Sequence, residues 1–166
     1  MRISLTIFLA FFCLSAWAQS QETALVGQTV QVQQETPADT RIADYYEQLK
    51  ANPKDPKLHL KLGEIYLERG LYELAIVSFQ QALAFQSKFP QAHLGLSQVF
   101  RKKKLPQLEL AEMETAVAEA PDDAALRLRL GILYMEPQHF NYKKAKTAFQ
   151  ALQKMGSPLA SLFLFL

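Results

Sequence analysis

The chain repeats itself every 34 residues. Leu62, Leu96 and Leu130 form one series, Gly63, Ser97 and Gly131 a second, and Tyr66, Phe100 and Tyr134 a third. A repeat of that length is one supersecondary unit that cannot bury its apolar face alone, so copies must stack and share a continuous core. The phase of three independent series leaves room for little besides a solenoid built from one unit used about three times.

The unit reads as a pair of helices. Asp39 or Thr40 can cap a first helix running to Lys50, with Ile42, Tyr45, Tyr46 and Leu49 at helical spacing. Asn52-Pro53 ends it, because the residue before proline is pushed out of the helical region. Helices are then expected over about Pro56 to Arg69 and Tyr72 to Phe85, Pro90 to Lys103 and Gln107 to Ala120, and Asp123 to Met135 and Tyr142 to Lys154. Pro56 suits a first turn and Gly70 a left-handed C-terminal position. The connections are short, so successive helices must run antiparallel.

With the spacing in view, these residues resemble the tetratricopeptide (TPR) repeats. Counted from Pro56, Leu62-Gly63, Tyr66, Ala75, Phe79 and Ala82 fall on the family's pattern. Counted from Pro90, Leu96-Ser97, Phe100, Met113, Ala116 and Pro121 do so, with Glu109 where position 20 wants a small residue. Counted from Ala124, Leu130-Gly131 and Tyr134 match, and Ala145 and Phe149 resume the register after two extra residues near Pro137. Position 4, where the family prefers tryptophan, holds His59, His93 and Arg127. The resemblance covers about residues 40–158. It implies an all-α, right-handed superhelical solenoid of antiparallel helix pairs, about three repeats with flanking helices, and a protein-binding role of the kind met in bacterial periplasms.

Ahead of the repeats, Arg2 is followed by an almost wholly apolar stretch from Ile3 to Leu14, and Ala16-Trp17-Ala18 reads as a small-x-small cleavage site. Residues 1–18 are therefore expected to be a signal peptide, leaving Gln19 as the first mature residue, no stable membrane span, and an exported protein, periplasmic or secreted. Residues 19–38 are polar and glutamine-rich and read as a flexible linker, with the repeat domain over 39–166. The single cysteine, Cys13, would leave with the leader, so the mature chain is expected to lack disulfides and thiol chemistry. Removing Arg2 takes the 18 basic residues to 17 against 16 acidic ones, which gives nucleic acid no hold.

No constellation points to chemistry. His59 and His93 share one register position and His139 stands far off in a loop, without ligand spacing, so neither metal nor cofactor is expected. No nucleophile–base pair, glycine-rich phosphate loop or nucleophile elbow exists, and an enzyme is not expected. The run Arg101-Lys102-Lys103-Lys104 suits a helix C-terminus; its functional alternatives are an acidic peptide or a membrane headgroup surface.

What the resemblance implies about binding is more specific. Positions 2, 5, 9, 12 and 13 of each first helix line the family's concave groove. The partner-binding residues so expected are Leu60, Glu64, Leu67 and Glu68, then Leu94, Gln98, Arg101 and Lys102, then Leu128, Ile132 and Met135. The subfamily that holds C-terminal carboxylates needs cations or asparagine where this chain has Leu60, Glu64 and Ala125. Only Arg129 fits, so that activity is not carried over. Leu60, Leu94 and Leu128 stand either at the groove floor or in the packing between helices. The expected partner is another protein or peptide. The alternatives are self-assembly through the apolar C-terminus at Leu162, Phe163 and Phe165, or an accessory role in envelope-complex or cytochrome assembly.

Overall fold

The structure, a computed structural model, describes residues 37–157, with side chains from residue 40 onward. The expected leader, most of the expected linker, and Leu162, Phe163 and Phe165 lie outside the described residues. Those residues form seven helices and no strand: α1 (Pro37–Ala51), α2 (Pro56–Glu68), α3 (Tyr72–Phe85), α4 (Pro90–Lys102), α5 (Pro106–Glu119), α6 (Ala124–Leu133) and α7 (Tyr142–Lys154). Within each pair, α2 packs on α3, α4 on α5 and α6 on α7. The second helix of one pair then packs on the first helix of the next, α3 on α4 and α5 on α6. This is an all-α repeat solenoid.

Local chemistry places most of the boundaries. Asp55 caps α2 by accepting the Lys57 amide at 2.9 Å, and Asp123 caps α6 by accepting those of Ala125 and Leu126 at 2.9 and 3.0 Å. The turn after α2 closes with Gly70 in the left-handed region, φ 73°. Its amide bonds to the Leu67 carbonyl, and that of Leu71 reaches back to Tyr66. This is a glycine C-terminal cap satisfying carbonyls the helix would otherwise leave open. The turn after α4 repeats the same two bonds with Lys104 in the glycine's place at φ 58°.

Two boundaries differ from the sequence expectation by two residues or more, the others by at most one. The first helix starts at Pro37, ahead of Asp39 and Thr40, since proline is tolerated in a first helical turn. Helix α6 stops at Leu133 and not at Met135. The residues after it form a loop closed by the Asn141 amide on the Tyr134 carbonyl, and the Asn141 side chain then caps α7 through Lys144 N–H. The two extra residues of the third repeat are taken up there.

The core runs across repeat boundaries. Leu62, Tyr66, Ala75 and Phe79 of the first pair cluster with Ala92, Leu96 and Val99 of α4, while Met113, Ala116 and Val117 of α5 cluster with Leu126, Leu130, Ala145 and Phe149 of the last pair. The middle repeat is thus divided, one helix to each cluster. Phe79 is fully buried and its ring is gripped from two sides. A Cβ added at Gly63 would come within 2.6 Å of it and one added at Gly95 within 2.5 Å. Helix α1 joins the first cluster through Ile42, Tyr45 and Leu49, and the Tyr46 hydroxyl pairs with that of Tyr66 at 2.8 Å.

Position 4 shows how a family preference is replaced. His59 is buried, stacks on Phe85 with ring centroids 5.3 Å apart, and places Nε2 3.0 Å from the Pro53 carbonyl. Arg127, in the same register in the third repeat, donates to the Pro121 carbonyl. His93 instead has Nδ1 2.7 Å from Glu112, with Nε2 3.6 Å from Glu119. Each side chain ties the start of a pair to what precedes or faces it, as a tryptophan would by bulk.

Candidate partner-binding face

The first helices of the pairs, α2, α4 and α6, supply one face of the array. Between α2 and α4 lies an open cleft of about 760 Å³, lined by Glu64, Leu67, Glu68, Gln98, Arg101 and Lys102 and closed at one end by Arg69, Gly70 and Tyr72. A smaller hollow of about 250 Å³ lies between α4 and α6, lined by Gln98, Arg101, Ile132, Arg129 and Glu136 over Ser97 and Met113. Gln98 and Arg101 belong to both.

The residues expected from sequence divide into two groups. Glu64, Leu67, Glu68, Gln98, Arg101 and Lys102 meet in the larger cleft, and Ile132, 41% exposed, lines the smaller one. The apolar ladder does not join them. Leu60 is a core residue at 8% exposure, and Leu94, Leu128 and Met135 are half-buried against the C-terminal cluster. Position 5 faces the neighbouring helix, so the floor of the cleft is amphipathic rather than a strip of leucines. Arg69 and Tyr72 were missed because they belong to the turn and not to a first helix; the glycine turn at Gly70 is the signal that swings them in.

The charges of the cleft are largely committed. Glu64 pairs with Lys61 at 2.7 Å and Glu68 with Arg41 at 3.4 Å, all well exposed, where such pairs contribute little. Arg101 is held more firmly. Its Nε donates to Glu109 at 2.6 Å and a terminal amine donates to Glu136 at 2.9 Å. Burial works against its charge, yet the hydrogen bond and charge of Glu109, followed by those of Glu136, outweigh it and hold the guanidinium above its ordinary value. Lys102 has no ion pair among the described residues and is the free cation of the cleft.

Glu109 explains why the second repeat departs from its pattern. It is buried, 3% exposed, where its relatives in register, Ala75 and Ala145, are alanines that let two helices close up. Arg101 answers its charge from α4, and His139, its side chain buried in the extended loop of the third repeat, lies with Nε2 3.8 Å from its other oxygen. The carboxylate thereby fixes the orientation of the groove arginine from behind. Among the described residues no group of acidic, histidine or cysteine side chains could hold a metal ion. No helix there is long and apolar enough to cross a membrane.

Comparison with known proteins agrees with this fold. A family model described as TPR repeat matches residues 63–104. No curated protein matches the sequence. Among solved structures, a crystal structure of MamA protein is similar at 24% identity and TM-score 0.58, over 72% of this chain and 64% of that one. A thermophilic TPR protein in Thermus thermophilus is similar at 21% identity and TM-score 0.56, over 71% and 66%. MamA from residue 41 onward of Desulfovibrio magneticus is similar at 16% identity and TM-score 0.56, over 92% and 93%. The first two likenesses span just under two thirds of their counterparts' lengths, and at these identities they speak to the fold. The family match identifies a TPR repeat over residues 63–104, and helix pairs of the same register run from Pro56 to Lys154.

Proposed function

We propose that this array is a non-enzymatic adaptor that holds a peptide or a helix of another protein in the cleft between α2 and α4. The observation that carries the reading is the cleft itself. It is open, about 760 Å³, and combines the apolar surfaces of Leu67 and Tyr72 with the uncommitted cation Lys102 and the amide of Gln98. Such a lining gives an apolar anchor and a few placed polar groups, as a peptide site requires. Its size suits a few side chains, not a whole domain face, so micromolar affinity is expected, roughly −8 kcal/mol by the usual conversion. The leader-like stretch Ile3 to Leu14 with Ala16-Trp17-Ala18 supports placing this adaptor in a bacterial envelope, and intact mass beginning at Gln19 would be the sign of it.

The adaptor reading is tested with a random peptide library displayed on phage and selected on the full chain. Selected clones should lose binding to Gln98→Ala combined with Lys102→Glu, while the melting temperature of that variant stays close to the parent's. Clones that bind parent and variant alike would move the site off this cleft.

A further inference from the structure

We propose that the edge of the array made by the turns inside each helix pair is a docking surface for an anionic lipid bilayer. At all three turns an apolar side chain stands in solvent: Leu71 is 42% exposed, Leu105 39% and Phe140 64%. Leu71 and Leu105 occupy the same register position, and Leu74 and Leu108, one turn further along α3 and α5, are 48% and 47% exposed in the same way. Exposed leucines recurring at the repeat period form one strip, not isolated surface residues.

The turns adjoin one another. Lys103 Nζ meets Glu73 at 2.5 Å, joining the first turn to the second, and Arg101 reaches Glu136 at 2.9 Å, joining the second to the third. A hollow lined by Lys104, Pro106 and Gln138 lies between the second and third. These bridges neutralise the acids of the edge. Lys102 faces the cleft, while Lys104 and Lys143 remain exposed without an ion pair among the described residues. The net field of the strip is therefore positive.

Lys104 adds an independent observation. The turn needs a left-handed residue, which Gly70 supplies in the first pair at φ 73°, yet the second pair places a lysine there at φ 58°. The lysine puts a cation at the edge where a glycine would close the same turn without strain. The charge selects the occupant. Apolar side chains standing in solvent at successive turns suit shallow insertion at the headgroup–acyl boundary. Flexible lysines beside them reach anionic headgroups.

The test uses the full chain with vesicles of phosphatidylcholine, with or without phosphatidylglycerol, and brominated lipid as a depth quencher. In Phe140→Trp, the emission added to that of Trp17 should shift to the blue and be quenched on the phosphatidylglycerol vesicles alone. The unsubstituted chain supplies the Trp17 background. Lys104→Gly should loosen binding about fivefold, the share of one cation near an anionic surface, while raising the melting temperature, since it relieves the backbone. Absence of quenching, equal quenching on pure phosphatidylcholine, or unchanged affinity in Lys104→Gly would overturn the proposal. A shift produced by polyglutamate and by no vesicle would assign the edge to an acidic protein and overturn it equally.

Discussion

At the scale of single residues, the array depends on two contacts of opposite kinds. Phe79 fills the space left by Gly63 on its own pair and by Gly95 on the next, so the ring is fixed from both sides. Gly95→Ala sets a helix-propensity gain of about 1 kcal/mol against overpacking of roughly 1–3 kcal/mol. Because Gly63 blocks the ring's retreat, overpacking should win, and chemical denaturation should show a less stable protein. Stability regained by combining it with Phe79→Leu would locate the effect in this contact. The second contact is Glu109 with Arg101. Removing the arginine strands a buried carboxylate, whereas removing the carboxylate frees a guanidinium that is 52% exposed and can turn to water. Arg101→Ala should therefore cost about 3–5 kcal/mol and Glu109→Ala distinctly less; equal losses would contradict the asymmetry. Gly63 was legible from the 34-residue ladder. Gly95 was not, because it lies off the ladder and matters only through a ring from the preceding repeat. The burial of Glu109 was visible as an anomaly at position 20, but its partners come from 8 and 30 residues away, the farther one in a loop without periodicity.

At the scale of elements, apolar period and end signals placed the helices, and the misplaced end of α6 has a specific cause. The pattern around Leu130 to Met135 continues apolar past the true end of α6, so only the loop bond from Asn141 to Tyr134 reveals where the helix stops. That loop brings Tyr134 against α5, where its hydroxyl donates to Glu114, and Lys144 of α7 meets the same carboxylate at 2.7 Å. Burial alone would raise the carboxyl's pKa, but the hydrogen bonds from Lys144 and Tyr134, with the lysine's charge, prevail and hold it below the ordinary 4.5. A carboxyl whose folded pKa is depressed stabilises the fold above its unfolded value and loses that contribution as pH falls through the folded one. The parent should thus lose stability below pH 4.5 more steeply than Glu114→Gln, measured by melting temperature across that range. Parallel curves would mean that the three-helix contact carries no linkage. The carboxylate is more than a third exposed, so screening should keep the difference small.

At the scale of the whole molecule, the division of the middle repeat between two core clusters makes α4 and α5 answer to different neighbours. Stability in such an array is a sum of repeat and interface terms, and the face made by α2, α4 and α6 is set by the interfaces. That is why the cleft could be foreseen from the repeat register while its floor could not. The register named Leu67, Gln98 and Lys102 correctly as neighbours, but whether Leu60 and Leu94 face the cleft or the core depends on how closely successive pairs approach. The central claim, that the cleft between α2 and α4 takes the partner, is tested most directly by recording amide chemical-shift changes as a library-selected peptide is titrated into the full chain. Shifts should concentrate at Glu64, Leu67, Gln98, Arg101 and Lys102 and saturate at micromolar peptide. Shifts confined to the turn edge around Leu105 and Phe140, with the cleft silent, would contradict it.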